Sequence, residues 1–120
     1  MVADDDPSIV DSLTMLLEFS GYTVTSTLDG AEVRNLETPL PDLLLLDIWM
    51  SGEDGVEICK KLKAQPETKH IPIILVSASK DIERSALEAG ADNFIAKPFQ
   101  MDDLLRMVET HLPARAASLS

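Results

Sequence analysis

The chain has 120 residues, 45% of them hydrophobic and 26% charged, which suits one compact domain burying roughly two-thirds of its unfolded surface and leaves no room for a second. Its 21 acidic residues against 10 basic ones give a formal charge of −11, which repels nucleic-acid phosphates and anionic lipid, so neither direct nucleic-acid binding nor membrane attachment is expected. No apolar run approaches the roughly 20 residues that span a bilayer; Met1-Val2-Ala3 passes into Asp4-Asp5-Asp6 without a signal segment, and the lone Cys59 allows no internal disulfide, so the expected compartment is the cytoplasm.

In chain order, a short apolar start ends at Asp4. Asp6-Pro7 reads as a helix cap with proline in the first turn, and Ile9, Leu13, Leu16 and Leu17 recur at helical spacing until Gly21. Residues 22–27 alternate and are rich in β-branched side chains, which predicts a strand. A short helix over residues 30–36 follows, closed by Pro39 and Pro41. Leu43 to Leu46 is an uninterrupted apolar run, the pattern of a strand buried on both faces. Residues 55–63 read as a helix with Val56, Cys59 and Leu62 inward and Lys60, Lys61 and Lys63 on a solvated face. A loop over 66–72 leads to a second apolar strand at 73–76. A helix over about 81–89, a strand at 93–96 and a closing helix at 101–111 complete the chain. This alternation implies right-handed βαβ units and a parallel sheet covered on both faces.

In such sheets ligands bind beyond the carboxyl ends of the strands. Asp4 and Asp5 follow the first strand, Asp47 the third, Ser77 the fourth and Lys97 the fifth, so all five belong to one edge. Crowded carboxylates raise one another's pKa unless a cation neutralises them, and hard oxygen ligands suit magnesium. A hydroxyl and an ammonium beside them suit a phosphoryl group, and an aspartate carboxylate can attack phosphorus.

The segments "ADDDP", "LLLLDIWMSGEDG", "VSA" and "GADNFIAKPF" stand in the order and near the spacing of the receiver domains of two-component response regulators, and the resemblance covers nearly the whole chain. It implies a flavodoxin-like (CheY-like) α/β fold, a doubly wound five-stranded parallel sheet of order 2-1-3-4-5. By the same resemblance Asp47 is the phosphoacceptor, served by the phosphohistidine of a sensor histidine kinase or phosphotransfer protein. Mg2+ is held by Asp5 with Asp4 assisting, by Asp47 and by the backbone carbonyl of Trp49. Ser77 and Lys97 bind the phosphoryl oxygens, Ser77 and Phe94 form the switch, and Lys97-Pro98 matches the family's cis peptide. Such a domain catalyses its own phosphorylation and dephosphorylation and is otherwise not an enzyme. A phosphorylation-dependent homodimer through the last two helices is a further expectation, with Met101 and Met107 outward. Residues 1–113 make the receiver domain and 114–120 a linker or tail. Three features depart from the family's pattern: Ser51 replaces a proline, Ser77 a commoner threonine, and only three residues precede Asp4, which implies a fragment or a misassigned start. A related class, the aspartate-nucleophile phosphohydrolases, carries a second aspartate two residues after the nucleophile, where this chain has Trp49.

Overall fold

The computed structural model describes residues 1–50, 52–79 and 82–112. Strand β1 (Val2–Ala3) leads to helix α1 (Pro7–Phe19), then β2 (Ser26–Thr27), α2 (Gly30–Arg34), β3 (Leu44–Asp47), β4 (Trp49–Met50), β5 (Glu53–Asp54) and α3 (Gly55–Ala64). The remainder is β6 (Ile73–Ser77), α4 (Glu83–Ala89), β7 (Asn93–Ala96) and α5 (Met101–His111). Five strands form a wholly parallel sheet in the order β2-β1-β3-β6-β7, while β4 and β5 pair antiparallel as a separate hairpin. With that hairpin set aside the order is the expected 2-1-3-4-5.

Period-two alternation along β3 and β6 builds two apolar layers. Leu44, Leu46, Ile73 and Leu75 point to one face with Val33, Met50, Ile58, Leu62, Ile82 and Ala86, which belong to α2, α3, α4 and their approaches. Leu45 and Ile74 point to the other with Val10, Leu13 and Leu17 of α1 and Leu104 and Val108 of α5. Both faces of the sheet are covered, as a parallel sheet requires.

Helix α1 starts where expected: Asp6 caps it by accepting a hydrogen bond from the Ser8 amide at 2.9 Å, and Pro7 fills the first turn. Gly55 opens α3 against the end of β3; a Cβ there would lie 2.3 Å from the Asp47 carbonyl oxygen, so no side chain fits. Gly90, at φ 82°, ends α4 in the left-handed conformation. Cys59 is fully buried, and burial pushes its thiol up to about 11, in keeping with a small core group.

Several expectations change. The strand over 22–27 shrinks to Ser26–Thr27 because β1 offers only Val2 and Ala3 as partners, and the β1–β2 ladder ends with the Val2 amide donating to Thr25 at 2.9 Å. Propensity without a partner backbone does not make a strand. The second helix stops at Arg34 rather than residue 36, and Ile58 joins the buried face of α3 while Val56 is half-buried. Lys63 does not belong to a solvated face: its ammonium bonds Asp92 and the Ile71 carbonyl, each at 2.7 Å. Met101 is exposed as expected, but Met107 packs half-buried against the α1–α5 layer. Ser51, Asp81 and residues 113–120, the proposed tail among them, lie outside the described residues.

Candidate functional site

Register brings the predicted residues together. Ala3 pairs with Leu46, so Asp4 and Asp47 are neighbours beyond adjacent strands. Asp47 pairs with Val76, which puts Ser77 one residue further along, and Ser77 pairs with Ala96, which puts Lys97 one residue beyond that. One ligand atom from each of Asp4, Asp5 and Asp47 lies within 4.8 Å of the others.

The Lys97 ammonium reaches into this group, 3.0 Å from Asp4 Oδ2 and 3.7 Å from Asp47 Oδ1. The closer partner is therefore Asp4, not Asp47. Asp4 is buried, and its other oxygen, Oδ1, accepts the Asp6 amide at 3.0 Å, which fixes the carboxylate at the start of α1. Asp5 is exposed on the open side. Burial opposes the charge of Lys97, but its hydrogen bond to Asp4 and the charges of Asp47 and Asp4 outweigh burial and hold its pKa above the ordinary value.

Asp47 is 7% exposed. Burial, then the Asp4 charge, push its pKa up to about 6; Asp5 adds to the rise, while Lys97 and the backbone N–H of Trp49, which donates to its carboxyl, oppose it. Three carboxylates thus face one ammonium. Hard oxygen donors with uncompensated negative charge fit Mg2+ or a similar hard divalent cation.

Ser77 is fully buried, with Oγ accepting the Ser79 amide at 2.9 Å, and its carbonyl accepts the Lys97 amide at 2.6 Å. The Lys97-Pro98 peptide is cis, as the resemblance implied. Phe94, in β7, is half-buried against the layer formed by α2, α3 and α4. Trp49 is 61% exposed beside the carboxylates, and Met50, its neighbour in β4, is fully buried.

Two contributors escaped the sequence reading. The β4–β5 hairpin, pairing Trp49 with Asp54 and Met50 with Glu53, turns the chain back between Asp47 and α3, and Gly55 lets α3 approach Asp47. The available signals were the Ser51-Gly52 dipeptide for the hairpin and Asp54-Gly55 for the start of α3.

A family model described as "Response regulator receiver domain" matches residues 1–109. The chain is 38% identical over 115 residues to the phosphate regulon transcriptional regulatory protein PhoB of Rhizobium meliloti, covering 92% of this chain and 50% of that protein. It thus spans about half the length of the curated relatives it matches. Among solved structures, a putative response regulator from Chloroflexus aurantiacus superposes with a TM-score of 0.85 at 34% identity, covering 93% of this chain and 94% of that one. The response regulator protein TrrA of Thermotoga maritima, solved in complex with Mg(2+)-BeF, does so with a TM-score of 0.81 at 31% identity, covering 92% and 96%. Sheet order, the acid group at the strand ends and these likenesses together place the chain in the response-regulator receiver-domain family, whose members accept phosphoryl groups on aspartate from sensor kinases.

Proposed function

We propose that Asp47 is the phosphoacceptor of this chain, that its donor is the phosphohistidine of a sensor histidine kinase or phosphotransfer protein, and that the chain promotes both the transfer and the later hydrolysis itself. The observation that carries this reading is the Asp47 carboxyl, closing a strand buried on both faces and standing 3.7 Å from the Lys97 ammonium. In the transfer an Asp47 oxygen forms a bond to phosphorus as the donor's P–N bond breaks. Lys97 meets the charge on the transferring oxygens. Ser77 already accepts the Ser79 amide, so its own hydroxyl proton is available to a phosphoryl oxygen without breaking that bond.

Asp4, Asp5, Asp47 and the Trp49 backbone carbonyl would hold Mg2+, which when bound supplies positive charge to the phosphoryl oxygens. The acid group of this chain and the Mg(2+)-BeF recorded for TrrA support that assignment. Ser77 moving toward a phosphoryl group would vacate space for Phe94, a population shift driven by contacts made only in the phosphorylated state. Helix α4 is suited to follow: its buried side is Ile82, Ala86 and Ala89, and its N-cap makes no side-chain hydrogen bond.

Residues 1–113 form the receiver unit in this reading, with 114–120 a linker or tail, and the chain works in the cytoplasm. RpaA of Synechocystis, 33% identical over 115 residues, is named as a DNA-binding transcriptional regulator. The −11 charge of this chain argues that its own residues do not contact nucleic acid. Incubation with acetyl phosphate and magnesium should add one phosphate by intact mass, and Asp47→Asn should add none. Phosphate retained by that variant would remove Asp47 from the role.

A further inference from the structure

The hairpin that follows Asp47 is held at its base by backbone alone. The Gly55 amide donates to the Ile48 carbonyl at 2.6 Å, which closes the loop between the end of β3 and the start of α3. Met50 anchors β4 from within, fully buried in the layer it shares with Ile58 and Leu62 of α3. A further tie crosses to α2: Glu53, opposite Met50 in the ladder, forms an ion pair with Arg34 in the last turn of that helix. The backbones come close there as well. A Cβ on Gly30, the first residue of α2, would lie 3.0 Å from Glu53 Oε2, 3.2 Å from Glu53 Cβ and 3.4 Å from the Met50 carbonyl oxygen, so a side chain at that position would push Glu53 away. A partly exposed ion pair of this kind contributes little to folding stability, so its use lies in orientation.

Resting on the reading of Asp4, Asp5, Asp47 and the Trp49 backbone carbonyl as the Mg2+ ligands, we propose that Arg34 and Glu53 are positioning residues, a brace from α2 that steadies the β4–β5 hairpin and with it the Trp49 carbonyl. The acid group comprises Asp4, Asp5 and Asp47, so neither side chain of the brace belongs to it. Glu53 pairs with Met50, the residue next to Trp49, so the ion pair fixes the hairpin immediately beside the carbonyl that serves the cation. Mg2+ tolerates little departure from octahedral geometry, and a carbonyl that swings with its hairpin is a poorer ligand than one held still. Holding it before the metal arrives removes an ordering cost from binding. Sign distinguishes a brace from charge acting through space. The Arg34 cation repels Mg2+ and the Glu53 anion attracts it, so charge alone gives opposite effects when each is neutralised. A brace gives the same effect twice, because either change releases the hairpin.

The test is calorimetric titration with magnesium chloride alone, at fixed ionic strength, of the parent, Arg34→Gln, Glu53→Gln and the double variant. It reads a dissociation constant with no phosphoryl donor present. Each variant should bind Mg2+ about fivefold more weakly than the parent, a smaller loss than follows removal of a group bonded directly to a ligand. The double variant should lose no more than the weaker-binding single one, since a brace released once cannot be released again. Melting temperatures without metal should stay near the parent's, which separates lost orientation from lost fold. Tighter binding by Arg34→Gln together with weaker binding by Glu53→Gln overturns the proposal in favour of charge alone, and constants unchanged in both single variants overturn it outright. A parent that takes up no Mg2+, or an Asp5→Ala variant that binds it as tightly as the parent, would instead overturn the metal-site reading beneath it.

Discussion

Asp47 carries a charge that its surroundings resist, and the consequence is a pH dependence of stability with a definite sign. Its folded pKa, about 6, lies above the ordinary 3.8 because burial and the Asp4 charge disfavour ionisation more than Lys97 favours it. The folded chain therefore holds this proton more tightly than the unfolded chain. The resulting stability is present below the unfolded value and is lost as pH rises through about 6. Asn mimics the neutral acid. Without metal at pH 7.5, Asp47→Asn should melt above the parent; allowing for water on the open side of the site, the gain is about 1–2 kcal/mol, or roughly 4–8 °C. The gain should vanish toward pH 4 and narrow when millimolar magnesium is added, because only the parent keeps the full acid group. Equal melting temperatures at pH 7.5 without metal would mean that the carboxyl is better solvated than its position implies.

At the scale of elements, the sequence announced those parts whose signals are local and strong. Asp6-Pro7 marks the start of α1 by cap chemistry alone, and the apolar runs of β3 and β6 can only be buried strands. Asp4, Asp5, Asp47, Ser77 and Lys97 were legible as a group for a topological reason: a parallel sheet puts every strand's carboxyl end on one edge. That Lys97 lies nearer Asp4 than Asp47 was not legible, since it depends on how far a flexible side chain reaches. The β4–β5 hairpin was missed because two-residue strands show no period. Lys63 was missed because a lysine grouped with Lys60 and Lys61 on one helix ordinarily marks a solvated face. Its ammonium instead joins three segments, bonding Asp92 after α4 and the carbonyls of Ile71 and, at 3.3 Å, Lys69 before β6. Asp92 also accepts the Ile73 amide at 2.8 Å, so the pair ties the far end of α4 to the sheet. Lys63→Met should lower stability by about 2 kcal/mol in urea unfolding at unchanged m, since it leaves Asp92 and the Ile71 carbonyl short of a partner. Asp92→Asn should cost less, because an amide oxygen can still accept from Ile73. A loss below about 0.5 kcal/mol in Lys63→Met would return that lysine to the solvated face.

For the whole molecule, the question is whether the phosphorylated surface meets a second copy of itself. A charge of −11 opposes self-association, so attraction must come from a local patch. Beside the sheet edge formed by β7, α4 exposes Leu87 at 67% and α5 exposes Met101 at 40%. Each helix also carries an exposed ion pair within itself, Arg84 with Glu88 at 3.2 Å and Arg106 with Asp103 at 2.6 Å. In a two-fold dimer these pairs could exchange partners across the interface, but each is already satisfied in the monomer and such exposed pairs contribute little. The exchange would set register, while burial of Leu87 and Met101 would supply the affinity. Magnesium with beryllofluoride, a phosphoryl mimic, should therefore raise the sedimentation coefficient at high protein concentration and moderate salt. Trp49, exposed and two residues from Asp47, should change its fluorescence when beryllofluoride binds, and Leu87→Glu should abolish the rise in sedimentation while leaving that change intact, since Leu87 lies outside the acid group. If parent profiles with and without beryllofluoride coincide, self-association is not the output of this surface. If Leu87→Glu still dimerises, α4 does not carry the interface.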